Sequence, residues 1–133
     1  MIRYFIYAFS MIFYVLTACK KEAPISNAMV GEWELAGSVN GMTGRMNKNT
    51  SGNGNLLKIS RQSYERYDHW NLVESGSYSI RQENSILYNK RLNRIIFNEE
   101  FDSPRSFVTI ESDQLTIWLD AFDGPSVTYK KLK

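Results

Sequence analysis

The chain has 133 residues, with 16 basic and 14 acidic side chains, 43% hydrophobic and 14% aromatic residues, and one cysteine. That length holds one small domain at most. A formal charge of +2 gives no field strong enough to argue for nucleic acid, and a lone cysteine excludes both a disulfide framework and a cysteine-rich zinc site.

The aromatic residues crowd the N-terminus, where Tyr4, Phe5, Tyr7, Phe9, Phe13 and Tyr14 lie close together. Met1-Ile2-Arg3 is a short basic stretch, Tyr4 to Val15 an uncharged apolar run, and Leu16-Thr17-Ala18-Cys19 follows at once. This is the layout of a secretory signal. A transmembrane anchor is the alternative, but it needs about 20 apolar residues, and Lys20, Lys21 and Glu22 end the run sooner. Leu-Thr-Ala-Cys resembles the lipobox of bacterial lipoproteins, in which a diacylglycerol is attached to the cysteine and cleavage leaves that cysteine first. The resemblance implies a signal peptide over residues 1–18 and lipid attachment at Cys19. Two or three acyl chains, at about 0.8 kcal/mol per buried CH₂, then hold the protein on a membrane. Lys20 stands where the enteric rule places an Asp for inner-membrane retention, so the expected location is the cell envelope, lipid-anchored to the outer membrane on either face. Lys20 to Asn27 is polar and contains Pro24, so residues 19–28 read as a lipidated tether. Removing 18 of the 133 residues leaves 115, with the globular domain over residues 29–133.

From Met29 onward no long window keeps a helical apolar period, whereas period-two alternation recurs. Gly31, Trp33, Leu35 and Gly37 share one face of a first strand, with Glu32 and Glu34 on the other. Asn40 to Asn55 follows, rich in Gly and Asn, and reads as a mobile lid or a disordered insertion. Leu57 and Ile59 flank Lys58 in a second strand, and Tyr64 to Asp68 forms a third. His69-Trp70-Asn71 is a turn, and Gly76, Tyr78 and Ile80 mark the inner face of the next strand. Further strands are expected at Ile86 to Tyr88, Arg94 to Asn98, Arg105 to Glu111, Leu115 to Asp120 and Ser126 to Leu132, separated by turn signals such as Asp123-Gly124-Pro125. The fold class is all-β, a small antiparallel up-and-down barrel of about eight strands or a sandwich. Closure is favoured because it removes sheet edges.

Gly31-Glu32-Trp33-Glu34-Leu35, Glu74-Ser75-Gly76-Ser77-Tyr78-Ser79-Ile80, Leu115-Thr116-Ile117, Asp123-Gly124 and Thr128-Tyr129-Lys130-Lys131-Leu132 stand in order along the chain. This series resembles the short lipocalin-like lipoproteins abundant in bacteroidetes. The resemblance implies a lipocalin-like barrel, with Lys131 taking the place of the arginine that usually packs over the first-strand tryptophan.

No nucleophile motif, metal-binding spacing or phosphate-binding glycine loop is present, and His69 is a lone histidine in a turn, so no enzyme activity, cofactor or metal is expected. Alternation places Trp33, Leu35, Leu57, Ile59, Tyr64, Tyr78, Ile80, Phe107, Leu115, Ile117, Val127 and Tyr129 inside. Of these, Trp33, Tyr64, Tyr78, Phe107 and Tyr129 are the candidates to line a cup for a small hydrophobic or amphiphilic ligand, the alternative being a filled core. Trp118 should point outward among polar residues, either anchoring a partner or packing under a loop. Two functions remain: an anchored barrel binding a small apolar ligand, or a solid-core envelope module binding a protein or glycan through its surface or the 40–55 loop.

Overall fold

The computed structural model describes residues 24–133. Cys19, the signal segment and the first half of the expected tether lie outside the described residues. The tether's last part is ordered: Pro24–Met29 is a six-residue helix, α1. Its two apolar residues, Ile25 and Met29, are four apart and share a face. Met29 is fully buried, Ile25 packs on the same core, and the helix touches the barrel wall. The Trp33 indole N–H donates to the Met29 carbonyl at 2.8 Å, satisfying an acceptor that the helix end would otherwise leave open. Two apolar residues in a polar stretch are too few to reveal such a helix by periodicity.

Nine strands follow: β1 (Gly31–Val39), β2 (Met46–Lys48), β3 (Leu56–Ile59), β4 (Ser63–Asp68), β5 (Asn71–Asn84), β6 (Arg91–Phe97), β7 (Ser106–Glu111), β8 (Gln114–Leu119) and β9 (Ser126–Lys131). From β3 onward each strand pairs antiparallel with the next, and β1 pairs with both β3 and β9. The result is a closed eight-stranded barrel, with β2 as a short extra strand on β1. A bulge between Leu35 and Gly37 lets β1 bend between its two neighbours.

The structure corrects four expectations. Asn40 to Asn55 is neither a lid nor a disordered insertion but a hairpin folded onto β1, with Gly37 opposite Lys48 and Val39 opposite Met46. Glu34, expected on the solvent face, is buried beneath it. Its carboxylate accepts the Gly52 N–H at 3.0 Å and the Ser51 hydroxyl at 3.4 Å, while the Asn53 amide donates to the Leu35 carbonyl at 2.9 Å. Ile86 to Tyr88 is not a strand but the turn of a long β5–β6 hairpin, closed by Ser85 N–H to the Lys90 carbonyl at 2.9 Å. Phe107 points out of the barrel, since Val108 and Ile110 take the inner face of β7. Phe107-Val108 is apolar on both faces, so alternation alone had no parity to read there.

The inner face packs Met29, Trp33, Leu57, Ile59, Tyr64, Tyr78, Ile95, Val108, Leu115 and Tyr129 into one cluster. Trp33 has no exposed surface, and Lys131 Nζ lies 5.2 Å from its ring centroid, taking the position over the indole expected for it. With α1 stopping the end where β1 begins, that half of the barrel is filled.

Candidate functional site

Beside this apolar cluster the inner face also carries charge. Arg66 lies across from Leu57, and Glu74 across from Arg66, so both share the inward face of Tyr64. Arg66 Nη1 binds Glu74 Oε2 at 2.8 Å, with roughly two-fifths of each side chain exposed. Glu74 Oε1 accepts the Tyr64 hydroxyl, which in turn accepts from the Asn98 amide at 3.2 Å. An ion pair this exposed adds about 0–1 kcal/mol to stability. Its inward placement therefore needs another reason.

Tyr129 lies close enough to feel the charges of both Arg66 and Glu74. Burial pushes its phenol above the usual range, and Glu74 adds to this. Burial likewise raises the Tyr64 phenol, helped by its hydrogen bond to Glu74. Both hydroxyls stay protonated and able to donate. The Arg66 Nε–H is buried without an acceptor. Around this group Leu35, Asn55, Leu56, Asp68, Val73 and Tyr129 line a pocket of about 200 Å³.

The five residues expected to line a cup thus separate. Tyr129 lines the pocket beside Arg66; Tyr64 is buried and joins the group through Glu74, and Trp33 has no exposed surface. Tyr78 is spent on structure, donating to the Ser60 carbonyl at 2.7 Å, and Phe107 belongs to the outer surface. Arg66 and Glu74 were missed because β4 and β5 carry charge on both faces. The one available signal was that they fall on the same alternation as Tyr64 and Gly76.

Phe107 is nevertheless fully buried, under a second cluster on the outside of the barrel. Trp118 points outward as expected and stacks on Phe107, centroids 6.1 Å apart and planes 28° apart. Tyr88, from the β5–β6 turn, meets Trp118 edge-on at 6.4 Å. The hairpin pairs with β7 at Arg94 and Ile95, and its tip then reaches the far end of β8. There Asp120 accepts the Ser85 hydroxyl at 2.6 Å and the N–H groups of Ile86 and Leu87 at 2.8 and 3.2 Å. Burial works to raise the Asp120 carboxyl, but these bonds and Arg105 outweigh it and leave it below its usual value. Arg94 is buried alongside, held by Glu83 at 3.1 Å and the Phe101 carbonyl at 2.7 Å. Between the hairpin arm and β7–β9 lies a cleft of about 380 Å³.

Fold and pocket define a class: a closed antiparallel barrel with a packed apolar cluster and a charged pair, Arg66 and Glu74, on its inner face. No family model, curated protein or solved structure matches the chain. Among the described residues no group of His, Cys, Asp and Glu is arranged to hold a metal ion.

Proposed function

We propose that this protein is an envelope lipoprotein, held on a membrane through Cys19, whose barrel mouth binds a small amphiphile with an acidic head group. The observation that carries this reading is the inward Arg66, which lines a pocket together with Tyr129. Glu74 takes one of the five guanidinium N–H groups, so a carboxylate can be received on another edge. Leu35, Leu56 and Val73 supply an apolar wall. At about 30 Å³ per water, the pocket holds roughly seven water volumes, enough for a short acyl chain. This narrows the apolar ligand expected from sequence to a short acid.

Titration of the purified protein with straight-chain carboxylates and with the matching alcohols, followed by amide chemical shifts, tests the proposal. Acids should bind at least tenfold more tightly than alcohols, shifting residues 66, 74 and 129, and Arg66→Met should remove the difference. Equal binding of acid and alcohol, or no effect of Arg66→Met, refutes it. Retention of membrane attachment after Cys19→Ser would refute the anchor separately.

A further inference from the structure

The cleft outside the barrel has a chemistry of its own. Its lining is Thr109 and Glu111 from β7, Gln114, Thr116 and Trp118 from β8, Ser126 from β9, and Tyr88, Lys90 and Leu92 from the arm. A second hollow of about 320 Å³ shares Gln114 and continues past Thr128 to Asn47 and Lys48 of β2. The two form one trough across β7, β8, β9, β1 and β2. Four interstrand steps of about 4.8 Å make it roughly 19 Å long.

Three features restrict the occupant. First, β8 and β9 are hydrogen-bonded on both sides, so the floor of the 380 Å³ cleft has no free backbone edge on which a peptide could add a strand; the free edge of β2 lies at the far end of the trough. Second, the 380 Å³ cleft is lined by one cation, Lys90, and one anion, Glu111, which leaves it without net charge and unsuited to a polyanion or polycation. Third, its remaining polar groups are hydroxyls and an amide, and at one end the rings of Trp118 and Tyr88 stand at 87°, forming an aromatic corner. A pyranose ring matches this combination. Its C–H face packs on an aromatic ring, while its hydroxyls exchange hydrogen bonds with neutral side chains that both donate and accept.

We infer that the trough is a binding site for a neutral oligosaccharide, with one ring seated in the Trp118–Tyr88 corner and further units running over Gln114 toward Asn47. Asp120 and Phe107 act as positioning residues, the first holding the arm and the second supporting the indole. The site is independent of the barrel mouth.

The test uses amide and indole chemical shifts of the purified protein, titrated with tetramers of glucose, of N-acetylglucosamine and of galacturonic acid. At least one neutral tetramer should shift Thr109, Gln114, Thr116 and the Trp118 indole N–H, and the acidic tetramer should bind at least tenfold more weakly. Tyr88→Ala removes a half-exposed ring and should weaken binding at least tenfold while lowering the unfolding midpoint by no more than about 6 °C, the worth of one aromatic pair. Gln114→Ala, at an exposed position, gives a second variant that should weaken binding severalfold, whereas Arg66→Met should leave sugar binding intact. No shift with either neutral tetramer at 10 mM, preference for the acidic one, or full binding by both Tyr88→Ala and Gln114→Ala overturns the inference. Saturable binding of an extended peptide on the same residues, with no response to sugars, also overturns it.

Discussion

Asp120→Ala removes a carboxylate that ties the β5–β6 arm to the end of β8, and its cost can be worked from the geometry. The carboxylate has no exposed surface and serves four partners: the Ser85 hydroxyl, the Ile86 and Leu87 N–H groups, and Arg105 at 3.5 Å. Hydrogen bonds to a charged group contribute about 1.5–3 kcal/mol each, but those sharing one acceptor do not add. Ile86 is exposed and its N–H regains water, and the partly exposed Arg105 contributes about 1 kcal/mol or less. Ser85 is buried and loses its acceptor. The expected loss is about 3 kcal/mol, or roughly 12 °C in Tm for a domain of this size. Asp120→Asn keeps one acceptor oxygen and should lose about 1–2 kcal/mol. Urea unfolding at neutral pH measures both, and amide exchange at Leu87 should accelerate in parallel. Because folding lowers the Asp120 pKa, its contribution is present above the ordinary value of 3.8 and is lost as pH falls through the folded value. The Asn variant should therefore lose less stability than wild type on acidification below pH 4. A loss under about 0.5 kcal/mol for the Ala variant, or identical acid limbs for wild type and Asn, would refute the reasoning.

Met29→Ala should cost about 2–5 kcal/mol, because the side chain is fully buried and the helix that carries it cannot collapse into the space; thermal unfolding checks this. Gly76→Ala would place a methyl group against the Asn98 side chain, whose oxygen accepts the Ser77 N–H at 3.1 Å and whose amide donates to Tyr64. A loss of about 1–3 kcal/mol is expected in urea unfolding, together with a shift of the Tyr64 resonances. Folding raises the phenol pKa values of Tyr64 and Tyr129 above 10.0, so their contribution is full below that value and is lost as pH climbs through the folded values. The double Phe variant should accordingly show a shallower decline in stability above about pH 10 than wild type, read from urea midpoints on that limb.

Strand positions were legible wherever one face is apolar and the other polar. β1, β3 and β8 follow from Trp33 and Leu35, Leu57 and Ile59, Leu115 and Ile117, because a period of two admits one inward set. The outward direction of Trp118 followed from the same parity. Alternation failed where both faces carry the same character. Phe107-Val108 is apolar on both sides, and Tyr64 to Asp68 is polar or charged on both, so neither the outer cluster nor the inward Arg66 could be read locally. Turns held by distant residues were equally hidden. Nothing near Ser85 announces that Asp120, 35 residues away, will accept its hydroxyl. The Gly- and Asn-rich stretch after Val39 likewise becomes ordered through Glu34, a residue that by itself looks like an ordinary solvent-facing carboxylate.

By itself, the sequence determined that this is one all-β domain, and it supplied the inner residues of the ladder, since alternation and turn chemistry are local properties of the chain. Tertiary structure alone decided that Arg66 and Glu74 pair on the inner face beside the apolar cluster. It also decided that the β5–β6 arm wraps the outside, and that Phe107 and Trp118 support a cleft there rather than a cup within. Those outcomes depend on groups far apart in sequence meeting across the barrel or over its surface. Such meetings are set by the twist and closure of the sheet as a whole, which no single window of residues encodes.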